Sequence, residues 1–131
     1  MSFENLGLSP FLLRALAEQG YDTPTPIQTQ AIPLALDGHD LLAGAQTGTG
    51  KTAAFGLPLP QHPGPSPQAV NGVRKPRALI LAPTRELAVQ VHDSLRAYGK
   101  HLRLASTTIY GGAGMQPQID ALRRGVDILV A

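Results

Sequence analysis

The fold turns on one stretch, Asp40-Leu41-Leu42-Ala43-Gly44-Ala45-Gln46-Thr47-Gly48-Thr49-Gly50-Lys51-Thr52. Its first five residues read as a short apolar strand, Ala45 to Gly50 as a Gly/Thr loop, and Lys51 as the start of a helix. Strand, loop and helix in that order are the context a phosphate-binding loop requires. Glycines let the backbone wrap closely round phosphates with its amides pointing inward, and the helix that follows adds its positive dipole end. Lys51 would then reach the β- and γ-phosphates of a nucleoside triphosphate. The Thr52 hydroxyl would hold Mg²⁺, which prefers oxygen ligands. The usual pattern opens on Gly, where this chain has Ala45. A Gly/Thr loop without a ligand is the bland alternative, and Gly50-Lys51-Thr52 in this context argues against it.

Outward from the loop, strands alternate with helices. Upstream, Ser9-Pro10 opens a helix with an N-cap and a proline suited to the first position. Leu12, Leu13, Leu16 and Ala17 form its apolar stripe, and Gly20 ends it. Thr25-Pro26-Ile27-Gln28 opens a second helix toward Asp37-Gly38, with a kink expected at Pro33. Downstream, residues 58–76 carry prolines at 58, 60, 63, 65, 67 and 76 with Gly64 and Gly72, which reads as a loop outside the core. Pro60 and Pro63 are expected to end the helix begun at Lys51. Ala78-Leu79-Ile80-Leu81-Ala82 is a continuous apolar run, the mark of a buried parallel strand. Thr84 caps a helix from Arg85 to about Tyr98, with Leu87, Val91, Leu95 and Tyr98 on one face. Residues 105–110 form a third strand ending at Gly111-Gly112, residues 116–124 a helix and residues 127–131 a fourth strand. Such alternation implies an α/β fold with a parallel sheet and flanking helices.

The 131 residues suffice for one domain with a real core, and 43% hydrophobic against 15% charged residues reads as folded rather than disordered. A formal charge of +2 permits a nucleic-acid partner without demanding one. The absence of Cys excludes disulfides and thiolate metal sites. His39, His62, His92 and His101 lack metal-ligand spacing. No apolar run approaches the roughly 20 residues of a membrane span, and Met1-Ser2-Phe3-Glu4-Asn5 has no signal-peptide character. A cytoplasmic protein is the expectation.

Ala45 to Thr52 reads A-x-T-G-x-G-K-T, which resembles motif I of the DEAD-box helicases, where a leading Ala is normal. Gly20-Tyr21-Asp22-Thr23-Pro24-Thr25-Pro26-Ile27-Gln28 resembles that family's Q motif, and Phe3 stands where the family has an isolated upstream aromatic. Pro83-Thr84-Arg85-Glu86-Leu87-Ala88 resembles motif Ia, and Gly111-Gly112 the GG element. The wording of the N-terminal third is similar to the bacterial RhlE-like branch. The resemblance implies the first RecA-like domain of an ATP-dependent RNA helicase, a P-loop NTPase fold, with ATP and Mg²⁺ as cofactors and RNA as partner. It implies that residues 1–38 form a Q-motif-like helical segment and residues 39–131 a partial ATP-binding domain. Gln28 would read adenine through its amide, with Phe3 and Tyr21 packing near the base. Lys51 and Thr52 would be the catalytic pair. Pro83, Thr84, Arg85, Gly111 and Gly112 would lie on the RNA-backbone side.

The residues themselves leave plainer readings open. Thr25-x-x-Gln28 is also a capping box, Thr84 an ordinary N-cap, Arg85 a solvated charge, Gly111-Gly112 a turn, and Phe3 and Tyr21 core aromatics. Hydrolysis also needs a carboxylate after an apolar strand to hold Mg²⁺ and orient water. None of Glu4, Glu18, Asp22, Asp37, Asp40, Glu86, Asp93, Asp120 and Asp127 stands there. The expectation is an incomplete domain, inactive by itself, whose open sheet edges favour self-association. The alternatives are a non-catalytic nucleotide- or RNA-binding fragment, or another P-loop protein such as a kinase or GTPase.

Overall fold

Side-chain caps at Thr25 and Thr84 open two of the helices where the sequence predicts them. In a computed structural model, which describes residues 2–44, 50–61, 69–70, 73–74, 76–102, 104–111 and 114–131, a 3-10 turn over Phe3–Leu6 leads into α1, Pro10–Glu18. Ser9 holds the N-cap position, but its hydroxyl makes no cap bond; its carbonyl accepts from Leu12 and Leu13 instead. Leu12, Ala15 and Leu16 are buried, so the buried stripe takes Ala15 in place of the expected Ala17. The end of α1 is a Schellman closure: Gly20 N–H donates to Ala17 O at 3.1 Å and Tyr21 N–H to Leu16 O at 3.0 Å. That closure needs a left-handed residue, and Gly20 supplies it at φ 78°. Helix α2, Pro26–Leu36, starts at Thr25 with both bonds of a capping box and runs on through Pro33.

Helix α3, Lys51–Gly56, is followed at once by a short helix α4, Pro58–Gln61. This corrects the reading of residues 58–76 as wholly outside the core, because Pro58 and Pro60 are buried. Both prolines sit in the first turn of α4, where backbone N–H groups have no helical partner, so their missing donors cost nothing. Gln61 then ties α4 back to the start of α1, accepting from Ser9 N–H at 2.7 Å and donating to Gly7 O at 3.0 Å. Strands β1, Ala69–Val70, and β2, Val73–Arg74, form an antiparallel pair within the same stretch.

The main sheet has three parallel strands: β3, Ala78–Ile80; β4, Ser106–Thr108; and β5, Ile128–Val130. Their order is β3-β5-β4, with Ala78 and Ser106 both registered on Ile128. Between them run α5, Arg85–Tyr98, and α6, Met115–Arg124. The expected strand at residues 40–44 makes no ladder, and Leu42 is fully exposed. An extended segment becomes a strand only beside a partner, and among the described residues β3 pairs on its β5 side alone. Leu79 and Leu81 are correspondingly 60% and 76% exposed.

Two cores hold these elements. The first is helical: Phe3, Leu6, Leu12, Leu16, Ile32, Ala53, Leu57 and Tyr98. The second joins Ala88, Val91 and Leu95 of α5 to Ile128 and Val130 of β5. On the surface Glu18 meets Lys100 at 2.7 Å, His101 at 3.0 Å and Arg14 at 3.4 Å, pinning α1 to the end of α5. The Lys100 ammonium in particular holds the Glu18 carboxyl below its ordinary pKa.

Asp127 is 2% exposed, and its Oδ2 accepts from Ala105 N–H at 3.0 Å. Its own backbone accepts from Arg77 and Ala78 N–H and donates to Ala105 O, so it fastens the entries of all three strands. Asp127→Ala leaves a partly buried donor without its partner, and a loss of about 1 kcal/mol is expected. The urea midpoint of the two chains measures it, and an unchanged midpoint contradicts this role.

Candidate functional site

Gln28 lies in the first turn of α2 and is 6% exposed. Its Oε1 accepts from Thr25 N–H at 3.0 Å, while the Thr25 hydroxyl oxygen accepts from Gln28 N–H at 3.4 Å. Its Nε2 donates to Gly50 O at 3.2 Å. The capping-box reading is therefore realised, and the same amide reaches the residue that opens α3. Gly50 adopts φ 88°, and an added Cβ there would run into Gln28 Nε2. The position demands glycine twice over, for its left-handed backbone and for the space.

These residues border a cavity of about 970 Å³ whose walls include Phe3, Tyr21, Gln28, Gly50, Lys51 and Thr52. Phe3 is buried in the helical core, so its ring belongs to the wall. Tyr21 is half exposed and stands on the Schellman closure, which fixes its backbone. Lys51 is exposed at the first position of α3, and Thr52 follows, half-buried. Ala45, Gln46, Thr47, Gly48 and Thr49 lie outside the described residues. The far end of the cavity is walled by Ile80, Leu81, Ala82 and Leu87, the approach to α5. No carboxylate lines it among the described residues. A smaller cavity of about 290 Å³ between α4, α5 and the sheet holds none of the sequence-predicted residues.

The second group gathers at the carboxyl ends of the strands, where ligands of parallel sheets bind. Pro83, Thr84 and Arg85 follow β3 and are exposed. The Thr84 hydroxyl accepts from Leu87 N–H at 3.1 Å, the predicted N-cap. The Arg85 guanidinium sits over the Tyr110 ring at 5.8 Å from its centroid, a cation–π contact joining the segments after β3 and β4. Gln118 of α6 clasps the Tyr110 backbone, accepting from its N–H at 3.2 Å and donating to its carbonyl at 3.3 Å. Gly111 is exposed beside it, and Gly112 lies outside the described residues.

Tyr98 is the wall residue that sequence reasoning placed only on an apolar helix face. It is 5% exposed, and its ring centroid is 6.4 Å from that of Tyr21 at an interplanar angle of 59°. A tyrosine at a buried helical register position, with a hydroxyl needing a partner, was the available signal. Burial, then the neighbouring Tyr21, pushes the Tyr98 phenol up to about 12 from 10.0. Below pH 10 both folded and unfolded chains hold it neutral, and its contribution to stability is fully present. As pH rises from 10 toward 12 the unfolded chain ionises first and that contribution is lost. Thermal melts across this window are expected to show the loss in the parent chain and a shallower one in Tyr98→Phe; identical profiles contradict it.

Similarity to known proteins agrees with this geometry. Residues 25–131 match the family model of the DEAD/DEAH box helicases. DEAD-box ATP-dependent RNA helicase 30 of Oryza sativa subsp. japonica is 46% identical over 98% of this chain and 19% of its own length. ATP-dependent RNA helicase DeaD of Klebsiella pneumoniae is 47% identical over 98% of this chain and again 19% of its own. The chain thus spans about a fifth of these relatives. Among solved structures, a DEAD box protein from Methanococcus jannaschii superposes with a TM-score of 0.84 at 40% identity, over 99% of this chain and 34% of that one. The RNA-helicase Prp28 from Chaetomium thermophilum bound to ADP superposes with a TM-score of 0.86 at 45% identity, over 98% and 31%. By its family model, its relatives and its fold, this chain belongs to the DEAD/DEAH box helicases.

Proposed function

We propose that these residues form the nucleotide-binding part of an ATP-dependent RNA helicase, binding ATP with Mg²⁺ and contacting RNA without hydrolysing ATP by themselves. The carrying observation is the single cavity that gathers Tyr21, Gln28, Gly50, Lys51 and Thr52. Thr25 and Gly50 use one lone pair and one N–H of the Gln28 amide. An acceptor and a donor remain. That pair complements the amino group and N7 of adenine, whereas guanine offers two acceptors on the same edge. Tyr21 and Phe3 flank the base. Lys51 supplies positive charge to the phosphates.

The donor set fits Mg²⁺ held chiefly by its nucleotide. Thr52 offers one protein oxygen, and no group of three His, Asp or Glu capable of holding a metal occurs among the described residues. Such a sparse protein contribution suits an ion that keeps several waters and binds through substrate phosphates. The metal would screen phosphate charge.

Pro83, Thr84, Arg85, Gly111 and Gly112 form the RNA side, with Arg85 and the amides opening α5 aimed at phosphates. Backbone contact carries little sequence preference. Duplex unwinding belongs to the longer protein that these relatives represent. A bacterial RhlE-like branch and a cytoplasmic location complete the reading. No helix among the described residues is long and apolar enough to cross a membrane.

Titration of the chain with fluorescent ADP, competed by ATP, GTP and pyrophosphate, is expected to show adenine preference lost in Gln28→Ala, and general weakening in Lys51→Ala. Equal competition by ATP and GTP would revive a generic phosphate loop with Gln28 a helix cap. Phosphate release with RNA present is expected to stay at the Lys51→Ala level; turnover above that control sinks the non-hydrolysing reading.

The open edge of β3, with Leu79 and Leu81 exposed, also favours self-association. Light scattering is expected to show a mass that grows with concentration, and a constant monomer mass refutes this.

A further inference from the structure

Helix α5 divides its buried residues between the two cores. Ala88, Val91 and Leu95 pack on the sheet. Tyr98 alone joins the helical core with Phe3, Leu16 and Leu57. There it meets two parts of the cavity at once. Its ring takes one flank of Tyr21, which is itself 49% exposed. On another side lies Gly56 of α3, where an added Cβ would stand 3.2 and 3.3 Å from Tyr98 Cε2 and Cδ2. Helix α3 begins with Lys51 and Thr52. Since the Schellman closure fixes the Tyr21 backbone, the side-chain torsions are the freedom left to its ring, and Tyr98 limits them.

We propose that Tyr98 is a positioning residue for base recognition: its buried ring is the post on which the Tyr21 ring and helix α3 both rest, holding the base-flanking aromatic at a set distance from the phosphate-binding residues. This rests on the reading that Tyr21 and Gln28 flank an adenine. Tyr98 touches no ligand and acts through Tyr21 and α3. A group that only stabilised the fold would weaken all ligands alike. A post between the two halves of the site weakens base-bearing ligands more than a bare phosphate chain.

The test is the fluorescent-ADP competition on the full chain with Tyr98→Leu, Tyr98→Phe and Gly56→Ala, using ATP, GTP and pyrophosphate as probes and circular dichroism to check folding. Removing the aromatic ring predicts ATP binding about 5- to 10-fold weaker in Tyr98→Leu. Pyrophosphate should stay within about 2-fold and the preference for ATP over GTP should fall, because a pyrophosphate carries no base for the Tyr21 ring to flank. Tyr98→Phe keeps the ring and is expected to restore both. Gly56→Ala displaces the ring instead of removing it and is expected to reproduce the selective loss. A folded Tyr98→Leu that keeps the parent's ATP-to-GTP ratio, or that loses pyrophosphate and ATP equally, overturns the proposal. Should Tyr98→Leu fail to fold, Gly56→Ala decides, and an unchanged ratio there overturns it. A parent chain that does not distinguish ATP from GTP refutes the base-reading assignment itself and this inference with it. A selective parent with insensitive variants refutes only the role of Tyr98.

Discussion

A buried primary amide is the constraint on which the rest depends. Gln28 is nearly inaccessible, and burying its polar atoms is tolerable only if they are hydrogen-bonded. Its oxygen takes the Thr25 N–H and its nitrogen the Gly50 carbonyl, so the openings of α2 and α3 are fastened through one side chain. What reads as a helix cap from one side is a strut from the other. The two readings of Thr25-x-x-Gln28 left open by the spacing are therefore compatible, because each atom of the amide has capacity for more than one bond. Gly50 completes the constraint by leaving room for the amide and by turning the chain left-handed into α3.

Helix α5 is the second organising element, since among the described elements it alone contributes buried residues to both cores. Its first residues face the carboxyl ends of the strands, and its last buried ring faces the cavity. The Glu18 cluster fixes the outer surface of the same end, but its groups are exposed and its hold weakens with salt. The durable connection is the packed one through Tyr98 and Gly56.

Local chemistry was legible in the sequence; partnership at long range was not. The bounds of α5 follow from Thr84 and its apolar spacing, and the observed helix runs Arg85–Tyr98 as that pattern predicts. Its inward face is rotated slightly, with Ala88 buried and Leu87 more than a third exposed, because packing on the sheet sets the final angle. Residues 40–44 had strand composition without a strand neighbour, and composition cannot supply one. Pro60 read as a breaker, yet it and Pro58 fill the one turn that needs no donors. In sequence Asp127 stands out only as an acid that does not follow an apolar strand; its bond to Ala105, which begins the approach to β4, joins residues far apart in the chain. In the site, the residue types and their order were readable, while the Tyr21–Tyr98 contact depends on how two helices meet.

The strand order carries a consequence for how the chain is made. β5 lies between β3 and β4 and pairs with both, yet it is the last of the three in sequence. As the polypeptide leaves the ribosome, β3 and β4 emerge before the described strand that pairs with both. The buried residues of the helical core, by contrast, end at Tyr98, with Leu102 packed against them soon after. Assembly during synthesis thus falls into two stages. The helices that wall the cavity can gather first, and the three described strands pair when Ile128–Val130 slides between two waiting edges.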